Sequence, residues 1–174
     1  MMNCAELTDY NKNRQICQIC LVTPDLKETL KEWVEILKVG PWKVITLSDE
    51  NITDAMLDGK KIEGPFKYYC AVSMFGNTQI EIVQPCYGFT IYDDILKKTG
   101  GGLHHFKEKI SNDMFSEKIK EYAQAGIKTT FSGHLREDIF VNFDTQEKLH
   151  FTFELGNFAD IVLPEEMYYN YPSE

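Results

Sequence analysis

The chain lacks any apolar run approaching the ~18 to 20 residues of a membrane-spanning helix, so no membrane partner is expected. It also lacks a basic run. Its 18 Lys and Arg stand against 27 Asp and Glu, for a net charge of −9. Nucleic acid is therefore a poor partner, and an anionic substrate would need a local cluster of positive charge. The first residues, MMNCAELTDYNKNRQ, have neither the basic nor the apolar region of a secretory signal, so a cytoplasmic location is expected. Cysteines number five (Cys4, Cys17, Cys20, Cys70 and Cys86). An odd count with irregular spacing excludes a disulfide frame and fits reduced thiols. Cys17 and Cys20 form the one C-x-x-C. They lie in ICQICLV, which reads as a strand, where positions three apart point to opposite faces, so a zinc clip is not expected there. Histidines are scarcer still: two of the four stand side by side in GGGLHHFKEKI, residues 100–110.

At 174 residues and 43% apolar, the chain suits one domain, or two small modules sharing a core. RQICQICLV reads as a strand. TPDLKETLKEWVEILKVG reads as a helix, with Asp25 and Glu28 at capping-box spacing and an inner stripe of Leu26, Leu30, Trp33, Val34 and Leu37. Gly40 and Pro41 stop it. WKVITL is a possible strand, followed by a polar, Gly-containing segment. KYYCAVSMF and TQIEIVQP read as a hairpin turning at Gly76–Asn77. TIYDDILKKTGGG reads as a short helix. The pattern then restarts: strand LHHFKEKI; a helix capped by Asn112 or Asp113 with Phe115, Ile119, Tyr122 and Ala123 inside; strands in KTTFSG, DIFVNFD and KLHFTFELG. The order is β-α-β-β-β, twice. It divides the chain into a first module over 14–90, a second over 101–163 and an aromatic tail over 164–174. The tail, PEEMYYNYPSE, is expected to pack on a surface, a partner subunit's being one candidate.

If the modules are related, equivalent strands carry equivalent inward residues. The first strands offer Gln18 and His105, and the last strands Glu81 and Glu154. All are polar residues embedded in apolar or β-branched runs. A carboxylate in such company is expensive to bury unless paired or bound to a metal. Alternation selects the histidine. His104 and Phe106 share one face, expected to be the helix side, while His105, Lys107 and Lys109 share the other. On the last strand His150, Thr152 and Glu154 face the cleft. On the first strand Gln18 and Cys20 point one way, Ile19 and Leu21 the other. His104, His134 and His150 are not expected to be ligands.

QICLVTPDLKETLKEWVEILKVGPW, GNTQIEIVQP, GGGLHHF and FTFELG together resemble the vicinal-oxygen-chelate (glyoxalase-like) superfamily, nearest to its methylmalonyl-CoA epimerase-type branch, over about residues 14–157. The resemblance implies an α+β fold, with paired βαβββ modules forming a curved mixed sheet around a metal cleft. The family's ligand positions fall on Gln18, Glu81, His105 and Glu154. Gln at the first position, where epimerases have His, is the glyoxalase I pattern. Three oxygens and one imidazole suit a hard or borderline divalent ion (Co, Ni, Mn, Mg or Zn). They do not suit structural zinc or the two-His-one-carboxylate set of an iron dioxygenase.

The activity implied is that of an isomerase, epimerase or lyase acting through a metal-stabilised enolate on an acyl-CoA or 2-oxo substrate, with Glu154 or Glu81 moving the proton. The sequence also departs from the family. Tyr68, Tyr69 or Cys70 stands where an epimerase's opposing acid is expected, and no arginines for a glutathione-type substrate are identifiable. Lys107 replaces a small residue and becomes a site candidate that could hold a substrate oxygen or repel the ion. A homodimer is expected. The alternative is a non-catalytic binding protein of the same fold holding an aromatic compound, favoured by Tyr68, Tyr69, Phe75 and the aromatic tail.

Overall fold

The run ICQICLV forms strand β1 (Ile16–Val22), and the chain then enters helix α2 (Leu26–Glu32) through Asp25, whose side chain accepts the Glu28 backbone N–H at 3.0 Å. Leu26 and Leu30 are buried as expected. The helix then widens into a π turn over Trp33–Leu37. That turn adds a residue per revolution and rotates the stripe out of phase, so Leu37 is half exposed rather than inside.

The computed structural model describes residues 1–88 and 91–173. Thr90, where the sequence reading begins the short helix and ends the first module, lies outside the described residues. The remaining strands are β2 (Trp42–Ser48), β3 (Ile52–Leu57), β4 (Lys60–Lys61), β5 (Lys67–Phe75), β6 (Thr78–Tyr87), β7 (Gly102–Lys109), β8 (Thr129–Leu135), β9 (Asp138–Phe143), β10 (Thr152–Gly156) and β11 (Tyr168–Tyr171). The other α-helices are α1 (Cys4–Asn11), α3 (Asp93–Thr99), α4 (Phe115–Gln124) and α5 (Gln146–Leu149). None is long and apolar enough to cross a membrane.

The fold is α+β, and the described residues build one curved mixed sheet of 11 strands in the order β11-β2-β5-β6-β1-β7-β10-β9-β8-β3-β4. Two βαβββ units are visible in it. In one, β2-β5-β6-β1 lies beside α2; in the other, β8-β9-β10-β7 lies beside α4; the antiparallel β1–β7 pair joins them. The likeness extends to register. In the first unit Gln18 pairs with Gln79 and Cys20 with Glu81; in the second His105 pairs with Thr152 and Lys107 with Glu154. Gln18 is thus the counterpart of His105, Cys20 of Lys107, and Glu81 of Glu154.

Apolar side chains separate into three clusters. One lies under α2 around Trp42, Ala71 and Ile82. Another lies under α4 around Phe143, Phe153 and Leu155, with Tyr122 stacked on Phe143 at 4.4 Å. The largest fills the inside of the curl between the halves.

Other elements differ from the sequence reading. Residues 52–61, read as a polar segment, form β3 and β4 and extend the far edge through β3–β8 pairing. The aromatic tail becomes β11, pairing Tyr168–Tyr171 with Trp42–Ile45 of the same chain. Backbone hydrogen bonds to an open sheet edge outweigh loose surface packing there. Ahead of α4, Asn112 and Asp113 lie in a 3-10 turn, and neither caps the helix; Ala123 is exposed. Residues 146–149 coil into α5, so His150 sits exposed in a left-handed conformation at its end instead of on the cleft face of a strand.

Candidate functional site

The site is built on the antiparallel β1–β7 pair at the middle of the sheet. The glycine turn before β7 is required sterically. At Gly101 (φ +124°) a Cβ would lie 2.6 Å from the Val22 carbonyl oxygen, so the turn packs directly on the end of β1. Register then slips: Cys20 pairs with His105 but Leu21 with Leu103, leaving His104 as the extra residue of a β-bulge. A bulge re-aims the side chain it carries. His104 therefore does not share Phe106's side, as simple alternation predicts. It turns to its neighbour, and His104 Nδ1 lies 2.9 Å from His105 Nδ1.

The other nitrogen of His105 is the focus of the cleft. Its Nε2 is 3.4 Å from Glu81 Oε2, 3.4 Å from Glu154 Oε2 and 3.4 Å from Gln18 Oε1. Side chains 87 residues apart in sequence thus meet at one nitrogen. Each is oriented from behind. Gln18 donates from Nε2 to Gln79 Oε1 (2.6 Å), which fixes its carbonyl oxygen towards His105. Cys70 donates its thiol to Glu81 Oε1 (3.1 Å). Asn142 donates to Glu154 Oε2 (2.8 Å).

Lys107 is also in the cleft, as alternation predicts. It is 3% exposed, and its Nζ lies 3.3 Å from Glu154 Oε1 and 3.2 Å from Asp138 Oδ2. Room for it comes from Gly156, where a Cβ would stand 2.0 Å from Lys107 Cε. Asp138 and Asn142 are residues the sequence reading missed. Asn142 carried a usable signal, since it is polar within the apolar run IFVNF, the criterion that singled out Glu81. Asp138 opens its strand, where a charged residue is unremarkable.

Burial controls the titration of the cluster. His105 is lowered to about 3 by burial and then by the Lys107 charge; His104 is lowered to about 3 by burial and then by His105. Both rings are neutral at physiological pH. Glu81 is raised by burial and then by Glu154. For Lys107, burial acts to lower the value, but Glu154, Asp138 and Glu81 together raise it, so the ammonium persists. Burial also holds Cys20, Cys70, Tyr68 and Tyr92 well above their ordinary values, so all four stay protonated.

These directions set the acid behaviour of the metal-free protein. Each histidine binds a proton near 6.5 when unfolded but only near 3 when folded. The unfolded state therefore holds more protons between those values, and stability falls as pH drops through that window. The slope is about 1.4 kcal/mol per pH unit for each histidine. Glu81 opposes it, gaining a proton in the fold before it would in the open chain. Chemical denaturation from pH 7 to 4.5 is expected to show a net loss; flat stability would place the rings elsewhere.

A cavity of about 260 Å³ opens beside the cluster, lined by Gln18, Glu81, Lys107 and Glu154 at its floor. Tyr68, Tyr92, Ile45, Leu47 and Phe140 form apolar walls, and residues 158–163 contribute Phe158, Asp160 and Leu163. The second strand of the first unit is β2, not the KYYCAVSMF run, and its cavity-lining residues are Lys43, Ile45 and Leu47. Neither segment places a carboxylate opposite Glu81.

The donor set suits a divalent cation. Ligand bonds of about 2.0–2.1 Å put neighbouring ligand atoms about 2.8–3.0 Å apart in an octahedron and about 3.3–3.4 Å apart in a tetrahedron; the 3.4 Å distances from His105 Nε2 match the tetrahedral value. These spacings are too long for good hydrogen bonds. With Glu81 ionised, the carboxylates Glu81, Glu154 and Asp138 outnumber the Lys107 ammonium by the charge a divalent ion carries. Among the described residues, the group of three His, Cys, Asp or Glu whose ligand atoms all lie within 4.8 Å of one another is Cys20 with His104 and His105; Glu81 and Glu154 each approach His105 Nε2 without meeting that spacing between themselves. That trio is buried, and its His–His contact is of hydrogen-bond length.

Known structures share this architecture. A hypothetical protein from Bacillus halodurans aligns with a TM-score of 0.61 at 15% identity, over 87% of this chain and 99% of its own. A methylmalonyl-CoA epimerase solved with methylmalonyl-CoA and NH4+ aligns at 0.61 and 13% identity, over 86% and 98% of the two chains. The methylmalonyl-CoA epimerase of Mycobacterium tuberculosis aligns at 0.56 and 11%, over 80% and 85%. No curated protein matches the sequence. Residues 17–143 match the family model described as the glyoxalase/bleomycin resistance protein/dioxygenase superfamily, and the chain belongs to that superfamily.

Proposed function

We propose that the protein is a divalent-metal isomerase, epimerase or lyase that moves a proton next to a carbonyl in an acyl-CoA or 2-oxo substrate. Gln18, Glu81, His105 and Glu154 would hold the ion. The observation that carries the reading is the meeting of three side-chain oxygens at 3.4 Å around one imidazole nitrogen, on the floor of a cavity. When bound there, the ion supplies Lewis-acid charge that acidifies a C–H beside a carbonyl.

The chain's own residues divide the remaining work. Glu81 is the group we assign to take and return the proton. Its side chain is 14% exposed towards the cavity, and burial leaves it readier to accept a proton than an ordinary carboxylate. Glu154 is engaged on both oxygens, by Lys107 and by Asn142. Lys107 holds Glu154 in place instead of reaching for substrate. Cys70 and Tyr68, both protonated, act as donors and not as bases. The absence of a carboxylate among the cavity-lining residues of β2 and β5 favours a single-base proton shift over two-base epimerisation. A cavity of about 260 Å³ takes an acyl group or small 2-oxo compound, leaving any CoA moiety outside.

Thermal melting in Co²⁺, Ni²⁺, Mn²⁺, Mg²⁺ and Zn²⁺ tests the first step. An ion present at about 100 times its Kd adds about 2.7 kcal/mol, read as a rise in Tm that His105→Ala removes. Exchange of substrate α-protons in D₂O, followed by NMR, tests the second. Metal binding without exchange for any 2-oxo acid or acyl thioester would favour the ligand-binding reading, to which the apolar and aromatic cavity walls lend support. Absence of both metal binding and exchange would end the enzyme reading.

A further inference from the structure

We propose that the cavity takes a short 2-oxo acid bearing a second carboxylate, and that Lys43 holds this second carboxylate. That the 2-oxo end meets a metal ion rests on the function proposed above; the contact at Lys43 does not.

Among the described residues the cavity is lined by two cations, Lys43 and Lys107. Lys107 is already engaged, 3.3 Å from Glu154 and 3.2 Å from Asp138. Lys43, half-buried on β2, forms no ion pair among the described residues. Its Nζ lies instead 4.5 Å from the centre of the Tyr168 ring. An aromatic face attracts a cation from one side only, and an ammonium has three donors, so donors remain for an oxygen acceptor in the cavity. The neighbouring cavity-lining residues, Ile45 on the same strand and Val72 on the next, offer no side-chain acceptor.

Register places this cation relative to the floor. Lys43 pairs with Val72, and Val72 pairs with Glu81, so the three stand in one row across the sheet and share a face. All three line the cavity. The row continues from Glu81 through Cys20 to His105. Two interstrand steps put the Lys43 Cα about 10 Å from that of Glu81. The cavity therefore has a polar floor, an apolar step at Val72 and a single cation beyond it. A molecule with oxygens at both ends and methylenes between them matches that order: its 2-oxo end lies on the floor, its chain crosses Val72, and its far carboxylate reaches Lys43.

The C-terminal strand steers the lysine. Asn170 pairs with Lys43 and Tyr168 with Ile45, which makes Tyr168 the diagonal neighbour of Lys43 on the same face. Tyr168 in turn packs on the central apolar cluster. The carboxylates lining the cavity are Glu81, Asp138, Glu154 and Asp160. With all four ionised, a divalent ion and the two lysines balance them. No general field then draws in an anion, and preference for a second carboxylate comes from the one contact at Lys43.

Binding of 2-oxosuccinate, 2-oxoglutarate and 2-oxoadipate to the full chain, measured by isothermal titration calorimetry with and without Co²⁺, tests this. Each diacid is compared with the monoacid of equal length: 2-oxobutanoate, 2-oxopentanoate or 2-oxohexanoate. At least one diacid is expected to bind about 10–100-fold more tightly than its monoacid, the range for a hydrogen bond to a charged group. Lys43→Met is expected to remove that preference by weakening the diacid alone. Lys43→Arg, which keeps the charge, is expected to retain most of it, with both variants folded by circular dichroism. No diacid preference in the wild type, a preference unchanged in Lys43→Met, or equal loss in the two variants overturns the assignment, and the metal reading stands wherever Co²⁺ and the monoacids still bind. A wild-type protein that binds none of the six acids also overturns it. Diacid binding that Lys43→Met weakens in a protein that takes up no Co²⁺ sinks the metal reading and upholds Lys43.

Discussion

Lys107→Met destabilises the metal-free protein by about 3–5 kcal/mol, the range found when one partner of a buried ion pair is removed. The methionine fills a similar volume, so the loss is electrostatic. Glu154, 4% exposed, and Asp138 lose the ammonium 3.3 and 3.2 Å away, and Glu81 is already raised by burial and by Glu154. The variant should recover stability as pH falls and the carboxylates share protons. It should also gain more from a divalent ion than the wild type does, because the ion would then be the remaining neutralising charge. Urea denaturation with and without metal measures both effects. A loss below about 1 kcal/mol, the value of an exposed pair, would show that solvent screens the cluster. Gly156→Ala acts on the same group by displacing Lys107, whose Cε would stand 2.0 Å from the new methyl, and should reproduce part of the effect.

Glu81→Gln lowers the rate of α-proton exchange by about 10²–10⁴, the usual contribution of a positioned general base. The amide keeps an oxygen towards His105 but cannot take a proton. Metal binding measured on the same variant separates the two roles of the residue: weakened binding that saturating metal restores, with exchange still lost, identifies the base. Glu154→Gln is the matched control. It removes a charge from the same cluster and leaves Lys107 paired with Asp138. If Glu154→Gln abolished exchange at saturating metal while Glu81→Gln did not, the assignment of the base would reverse.

Much of this site was legible before any coordinates. Gln18, Glu81, His105 and Glu154 stand out because each is polar inside a strand-like run, and a strand's period of 2 tells which neighbours share its face. That rule puts Lys107 in the cleft, and the structure pairs it there with Glu154. It fails at His104, because a bulge inserts a residue and breaks the period. It fails at His150 because residues 146–149 coil into a helical turn just before the strand. The helix stripe fails at Leu37 for the same kind of reason, a π turn that changes the repeat. Each miss is a local irregularity invisible to a periodic template, and the bulge at His104 lies in the site itself.

By itself the sequence determined which residues prefer strand or helix, the doubling of the βαβββ order and which side chains are too polar for their neighbours. These follow from periodicity and solvation, which are local. Only the tertiary structure decided that β3 crosses to the far edge, that the tail closes the near edge as β11, that Asp138 and Asn142 reach Lys107 and Glu154, and that the His104 ring turns to meet His105. Those outcomes depend on strand order and register. Both are set by which unpaired edges and buried charges find partners across the sheet, and no stretch of chain carries that information alone.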